Sequence, residues 1–598
     1  MNGTNIALSI FLLYWFAVSV LDRKGILEKY NISTFGPLPI LMIRTTKGLK
    51  LLDVLARPKA YWRIFANLGI LLMFAGMIAM FLVIAISDLG LYTSLLSGNM
   101  PEPGKYNSPR NIFLIPGLNE FIPLTWGAIA LIVTLVVHEF SHAILCRVEG
   151  IRVKSMGILY ALVPIGGFAE PDDEQLFGTK EKTERELPLT ATIEEIEEWE
   201  KEEKIRQETE KTKPDEPKSE PVIGATRTQR SRILAAGVMA NFSVAFIALL
   251  LFFGPVLGAI APLSDAMILS VNESSPADHA GLENGMIITQ INDANITTAE
   301  DLRTYLEKTQ PGDTVRISAT KNGTVSTHDL QVASVPENYI GGGVPVGGIV
   351  SGSPAEAAGI KTGMTMIRIN DTKMQNVSNF VSFMETTRAN QTVEVELLPP
   401  ENYTGNLTEK GTVVFDVKLS SNSEHDYGFL GVVYGNNAVM ELPMLGVSVL
   451  MPQAKLYLEA LKQIPSLLTM PAGWIILFGL PIYGFAGEGF RGFSGTFMQF
   501  YQPVGWAEPL GVGIFWIANT LLWVGWLNFY VGLFNCLPAV PLDGGHVFKD
   551  STYSFVYRFT RNDSISEKVS NSITASFSML ILFSFIFMIF GPYIGQWM

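Results

Sequence analysis

Leu131–Arg147 reads LIVTLVVHEFSHAILCR. Its apolar residues predict a helix of about five turns. Within it stand His138, Glu139 and His142, an H-E-x-x-H pattern. Residues four apart on a helix project from one face, so both imidazoles can reach one metal ion. Glu139 is then free to act as a base on water activated at that metal. The apolar run reaches back to Leu124, which gives it membrane length. Ionisable side chains at membrane depth are costly and need a reason to be there. A hydrolytic metal site also wants a third protein ligand, which the remainder of the chain must supply.

Composition agrees with a membrane setting. The chain has 598 residues, too many for one domain. Mean hydropathy is +0.28, with 48 % hydrophobic and only 17 % charged residues, which predicts an integral membrane protein with soluble parts. Net charge is −13, but much of the acid lies in one insert at 180–221, so no nucleic-acid partner is expected. Two cysteines, Cys146 and Cys536, are too few for a disulfide framework or a cysteine zinc site. Asn5–Leu21 is apolar but lacks a small-residue cleavage site and is followed by charged Asp22–Lys24, so it is expected to remain as a span.

About six transmembrane helices are expected: Asn5–Leu21, Ile64–Ile86, Leu124–Cys146, Ile233–Leu257, Gly511–Phe534 and Ile573–Phe590. The loop Asp22–Arg63 carries nine Lys/Arg and is expected on the cytoplasmic side of the cell membrane. The histidines then lie in the cytoplasmic half of their helix. Val153–Ala169, broken by Gly157, Pro164 and Gly166-Gly167, reads as strands or a re-entrant hairpin. Leu467–Phe485 is interrupted by Pro471, Gly473, Gly479 and Pro481; the parity of crossings makes it re-entrant or surface-lying. Val547–Ser572 reads as a polar loop.

Between the two membrane halves lies an internal repeat. SPADHAGLENGMIITQIND at Ser275–Asp293 returns as SPAEAAGIKTGMTMIRIND at Ser353–Asp371, 78 residues later. Each copy is followed by a helical stretch and alternating strands. Each is expected to close with a similar segment, YIGGGV at Tyr339–Val344 and YGFLGV at Tyr427–Val432. The repeats resemble two circularly permuted PDZ domains of membrane and envelope proteases. The resemblance implies carboxylate-binding loops at Gly341, Gly342 and Gly343 and at Gly428, Phe429, Leu430 and Gly431, with an edge strand for peptide C-termini.

For the third ligand, His279, His328 and His425 fall in the repeats, which leaves His546 and the acids after the later helix. Asp543 is the strongest candidate: Pro538 and Pro541 end the helix before it, and Gly544-Gly545 follow it and permit a tight turn. H-E-F-S-H at His138–His142 and N-x-x-P-x-x-x-x-D-G at Asn535–Gly544, with PDZ-like repeats between, resemble the site-2 protease family (peptidase family M50) of intramembrane zinc metalloproteases. The resemblance implies His138, His142 and Asp543 as ligands of one zinc ion and Glu139 as general base. It implies Asn535 and the hairpin residues Gly166, Gly167 and Phe168 as substrate-positioning groups. Arg232–Asn241, RILAAGVMAN, resembles the family's A-G-P helix with Val238 in place of the proline.

The expected architecture is a polytopic α-helical membrane protein with two inserted PDZ-like β domains. Its parts are N-terminal helices (1–123), a first core half (124–260) carrying the insert 180–221, PDZ-like domains at 261–346 and 347–434, a linker (435–510) and a second core half (511–598). The expected activity is hydrolysis of a peptide bond within or near a transmembrane segment of another protein in the lipid bilayer. The alternative is a non-catalytic membrane scaffold whose repeats bind C-termini around a structural metal. An intact Glu139 argues against it, since a structural site needs no base.

Overall fold

The structure is a computed structural model that describes residues 3–177 and 224–595, apart from 35–38, 47, 112–113, 162, 322, 336–342, 375–376, 400–407, 409–410, 422–426, 435–437, 452–453, 484–489 and 491. The charged insert 180–221 and the loop residues Gly341 and Gly342 lie outside the described residues. The chain forms two compact units, Met1–Phe252 with Asn519–Met598, and Phe253–Ala518. In chain order the helices used below are α1 (Gly3–Arg23), α2 (Lys59–Leu96), α3 (Leu124–Glu149), α4 (Arg227–Leu251), α5 (Ala454–Leu467), α6 (Pro471–Tyr483), α7 (Gly513–Asn535), α8 (Asp543–Thr560) and α9 (Asp563–Gly595).

Among the described residues, α2, α3, α4 with its continuation to Val256, α7 and α9 are long and apolar enough to cross a membrane. The 21-residue α1 stands where the first span is expected. The 13 residues of α6 rise only about 20 Å, short of a bilayer core of about 30 Å. Val547–Ser572 is not a loop, as its polarity suggests, but most of α8 and the start of α9. Val547, Asp550 and Tyr553 recur at helical spacing and are buried on one face, so the polar residues between them face outward.

Two buried carboxylates fasten the first unit's helices. Glu149 at the end of α3 has a side chain only 1 % exposed and accepts two bonds of 3.1 Å from Arg63 on α2. Arg232 on α4 reaches the same carboxylate at 3.4 Å. Asp550 on α8 accepts from Arg230 on α4 at 2.8 and 3.1 Å. The Arg230–Asp550 pair, with both side chains largely buried, is costly to break, by about 3–5 kcal/mol when one partner is removed. Together they hold α4 beside both α3 and α8.

The hairpin expected at 153–169 forms from β3 (Val153–Ala161) and β4 (Val163–Pro171). It is extended by β1 (Ile32–Thr34) and β2 (Leu41–Thr45), recruited from the basic loop, into an antiparallel sheet of order β1-β2-β3-β4. β4 is the edge strand, and it packs on α3.

The second unit holds two larger sheets besides the short pair Ile260–Pro262 with Tyr501–Pro503. Their strands are β5 (Met267–Val271), β6 (Ile287–Ile291), β7 (Thr314–Lys321), β8 (Thr324–Gln331), β9 (Val344–Ile349), β10 (Thr365–Ile369), β11 (Thr392–Leu398), β12 (Val413–Lys418), β13 (Val432–Tyr434), β14 (Ala438–Leu442) and β15 (Val447–Met451). The first sheet has the order β8-β7-β6-β5-β15-β14 and the second β12-β11-β10-β9-β13. The boundary expected at 346/347 is therefore not the one the strands follow. Val344–Ile349 belongs to the second sheet, and 438–451 returns to complete the first, so the second β domain is inserted within the first.

The closing loops show the same correction. Gly431 packs on Ser353, where an added Cβ would meet the serine Cβ at 2.1 Å, and Gly446 packs on Ser275 at 2.2 Å. Leu430 and Leu445 carbonyls accept from Ala355 and Ala277, positions that match within the repeat. The true counterpart of Gly431 is thus Gly446; Gly343 precedes a strand of the other sheet. Beside the Gly431 loop, β13 ends its sheet, whereas β14 covers the equivalent strand β15.

This nesting is testable. Leu442, Leu445, Val447 and Val449 are four buried members of the first domain's core. Each buried side chain of this size is worth about 1.5–3 kcal/mol, against a total stability of roughly 5–15 kcal/mol for a domain. A fragment of residues 261–346 will lack cooperative thermal unfolding followed by circular dichroism, and a fragment of 264–451 will show it. A cooperative transition in the shorter fragment overturns the assignment.

Candidate metal centre

The cluster is built on α3, where a 26-residue helix carries His138 and His142 one turn apart. The imidazole Nε2 atoms lie 3.0 Å from each other. Asp543 Oδ2 lies 3.2 Å from Nε2 of His138 and 3.4 Å from Nε2 of His142. All three side chains are nearly buried, at 10 %, 14 % and 13 % exposure. Asp543 is the first residue of α8, after the prolines have ended α7. Gly544 and Gly545 are helical and do not make the tight turn their pairing suggests. Their lack of a side chain lets α8 press on the backbone at Cys536 and Ala539, where an added Cβ would stand 2.4 Å away.

The donor set fits a metal ion. Nδ1 of His142 lies 2.7 Å from the carbonyl oxygen of Ile233, which can only accept, so Nδ1 carries the proton and Nε2 offers a lone pair. That lone pair faces a carboxylate oxygen and a second imidazole nitrogen. Asp543 Oδ2 has no hydrogen-bond partner among the described residues. Acceptors so placed repel one another unless a cation lies between them. Ligands about 2.0–2.1 Å from a tetrahedral ion stand roughly 3.3 Å apart, close to the three separations here.

Glu139 lies on the neighbouring face of α3, and its Oε2 accepts a 3.1 Å bond from the backbone N–H of Ala169 in β4. Gly167, two residues earlier on that edge, comes against the Glu139 side chain. Gly166 is in the same strand. Phe168 alternates to the sheet face, where its ring covers Gly157 of β3 instead of approaching the cluster. Asn535 ends α7, half-buried, and His546 does not join the ligand atoms. In the second β domain, the N–H groups of Gly428 and Phe429 already donate to Thr387 and Ser420.

None of the site residues expected from the sequence lies on α4, although Arg232–Asn241 resembles the family's A-G-P helix. Gly237 faces both imidazoles: a Cβ there would stand 2.5 Å from Nε2 of His142 and 2.7 Å from Cε1 of His138. Ile233, Gly237 and Asn241 lie four apart on one face, and Asn241 places its amide nitrogen 3.2 Å from Nδ1 of His138. The A-G in RILAAGVMAN was the available signal, but the reason for the glycine appears only when α4 packs on α3. Val238 is buried within α4, which continues as one helix through this region. Replacing Gly237 with Ala will push the imidazoles apart and weaken zinc retention by more than about tenfold, the upper range for changes beside a ligand being about 100-fold. Wild-type zinc affinity in that variant, measured by chelator competition, would contradict the packing.

Comparison with known proteins gives the family. The model of peptidase family M50 matches residues 126–584. An uncharacterized protein of Methanocaldococcus jannaschii is 26 % identical over 333 residues, covering 55 % of this chain and 71 % of that protein. The zinc metalloprotease RasP of Shouchella clausii is 32 % identical over 116 residues, 19 % of this chain and 27 % of that protein. RasP of Oceanobacillus iheyensis is 31 % identical over 124 residues, 20 % of this chain and 28 % of that protein. The match thus spans under a third of either RasP. Because the family match runs from the H-E-x-x-H helix through Asp543 into α9, the chain belongs to peptidase family M50, the site-2 protease family of zinc metalloproteases.

Proposed function

We propose that the protein is a multi-pass endopeptidase of the cell membrane that hydrolyses a peptide bond within or near a transmembrane segment of another membrane protein. The observation that supports this is the meeting of three ligand atoms from His138, His142 and Asp543 beside Glu139, on helices of membrane length. These three side chains would hold one zinc ion. The chemistry such an ion supplies is polarisation of a carbonyl and acidification of water.

Glu139 takes the proton from the attacking water and passes it to the departing amine. The Ala169 N–H holds this carboxylate on the β4 side of α3. A substrate helix has its carbonyls bonded internally and must unwind before attack. Among the described residues β4 pairs with β3 alone, so its other edge would offer replacement bonds to an unwound segment. Gly166 and Gly167 keep that approach free of bulk, and Asn535 would hold the substrate backbone from the end of α7.

The nine Lys/Arg of the loop before α2 support a cytoplasmic position for that end of α2. Counting crossings from there puts the active site towards the cytoplasm and the β domains outside. The β domains would serve as a size filter or docking element. A peptide C-terminus would add to the free edge of β13, since β14 covers the corresponding strand of the first domain.

The test is cleavage of a model transmembrane substrate by purified protein. Glu139→Gln will lower the rate by about 10²–10⁴-fold with zinc retained. Asp543→Ala will lose both zinc and activity. Equal product from wild type and Glu139→Gln sinks the protease reading.

A further inference from the structure

We infer that Asn241 is the positioning residue of His138, its side-chain amide oxygen accepting the Nδ1–H of that imidazole when Nε2 is given to the metal. The inference rests on the metal reading above.

Asn241 is fully buried on α4. Its amide nitrogen stands 3.2 Å from Nδ1 of His138, while its Oδ1 is buried without a hydrogen-bond partner among the described residues. A buried acceptor left in that state costs about 1–3 kcal/mol. Turning the amide over exchanges its oxygen and nitrogen with no change of shape. Oδ1 then meets Nδ1, and the pair forms a bond if Nδ1 carries the proton. That tautomer leaves the Nε2 lone pair directed at His142 and Asp543.

His142 already stands in this tautomer, held by the Ile233 carbonyl at 2.7 Å. With Asn241 turned, each histidine is fixed through Nδ1–H to an oxygen of α4, and Gly237 midway between them leaves room for both rings.

The test compares full-length wild type, Asn241→Leu and Asn241→Asp in detergent micelles. Zinc affinity is read by chelator competition and ligand geometry by the visible spectrum of the cobalt-loaded protein. Asn241→Leu keeps the bulk but has no acceptor, and will bind zinc about 10–100-fold more weakly. Asn241→Asp keeps the oxygen, and will bind within about threefold of wild type with a tetrahedral cobalt spectrum. Leucine binding as tightly as wild type, or aspartate binding as weakly as leucine, overturns the inference. Should the leucine variant fail to fold, the aspartate variant decides by itself, since tenfold loss there overturns an acceptor role. A wild type that binds no zinc removes the metal reading itself, a result distinct from equal binding by all three proteins.

Discussion

Three acceptor atoms crowd within 3.4 Å of one another inside a bundle of apolar helices. Left alone, that crowding is repulsive, and the fold must oppose it with fixed positions from several directions. α3 sets the two imidazoles by helical spacing. α8 presents Asp543 from its first turn, where the helix dipole favours a carboxylate. α4 runs between them, bolted at one end by Arg232 to Glu149 and by Arg230 to Asp550. These ion pairs lie far from any chemistry, yet they decide whether the ligand atoms meet.

The same three helices divide the work of the site. α3 carries the two histidines and Glu139, α8 carries Asp543, and α4 gives only surroundings: a carbonyl, a gap and an amide. The sheet adds the last element by pinning Glu139 from the Ala169 N–H. Glu139 is thereby tied by one bond to the edge strand of the sheet.

His138, His142 and Asp543 were legible in the sequence because metal chemistry restricts ligand types and spacing, and because an Asp at membrane depth needs a reason. The hairpin at 153–169 was legible from its glycines and proline. What escaped was whatever depends on packing between distant segments. Gly237 and Asn241 look like ordinary helix residues until α4 lies on α3. β1 and β2 read as part of a basic loop because a three- or five-residue strand has little pattern of its own. α8 was hidden by its polar face. The nesting of the β domains was hidden by a local likeness, YIGGGV standing where a closing loop was expected, while the segment that closes the first sheet lies beyond the second domain.

That nesting has a consequence for how the chain is made. Synthesis proceeds from the N-terminus, and domains tend to fold as units as they emerge. The inner sheet has all its strands once Tyr434 is complete, whereas the outer one must wait for Met451. Residues 267–331 therefore spend the intervening period with β5 unpaired along the edge that β15 will take. The inner domain folds first, and by bringing Val344 and Tyr434 into one sheet it draws together the two ends of chain that the outer domain needs in order to close.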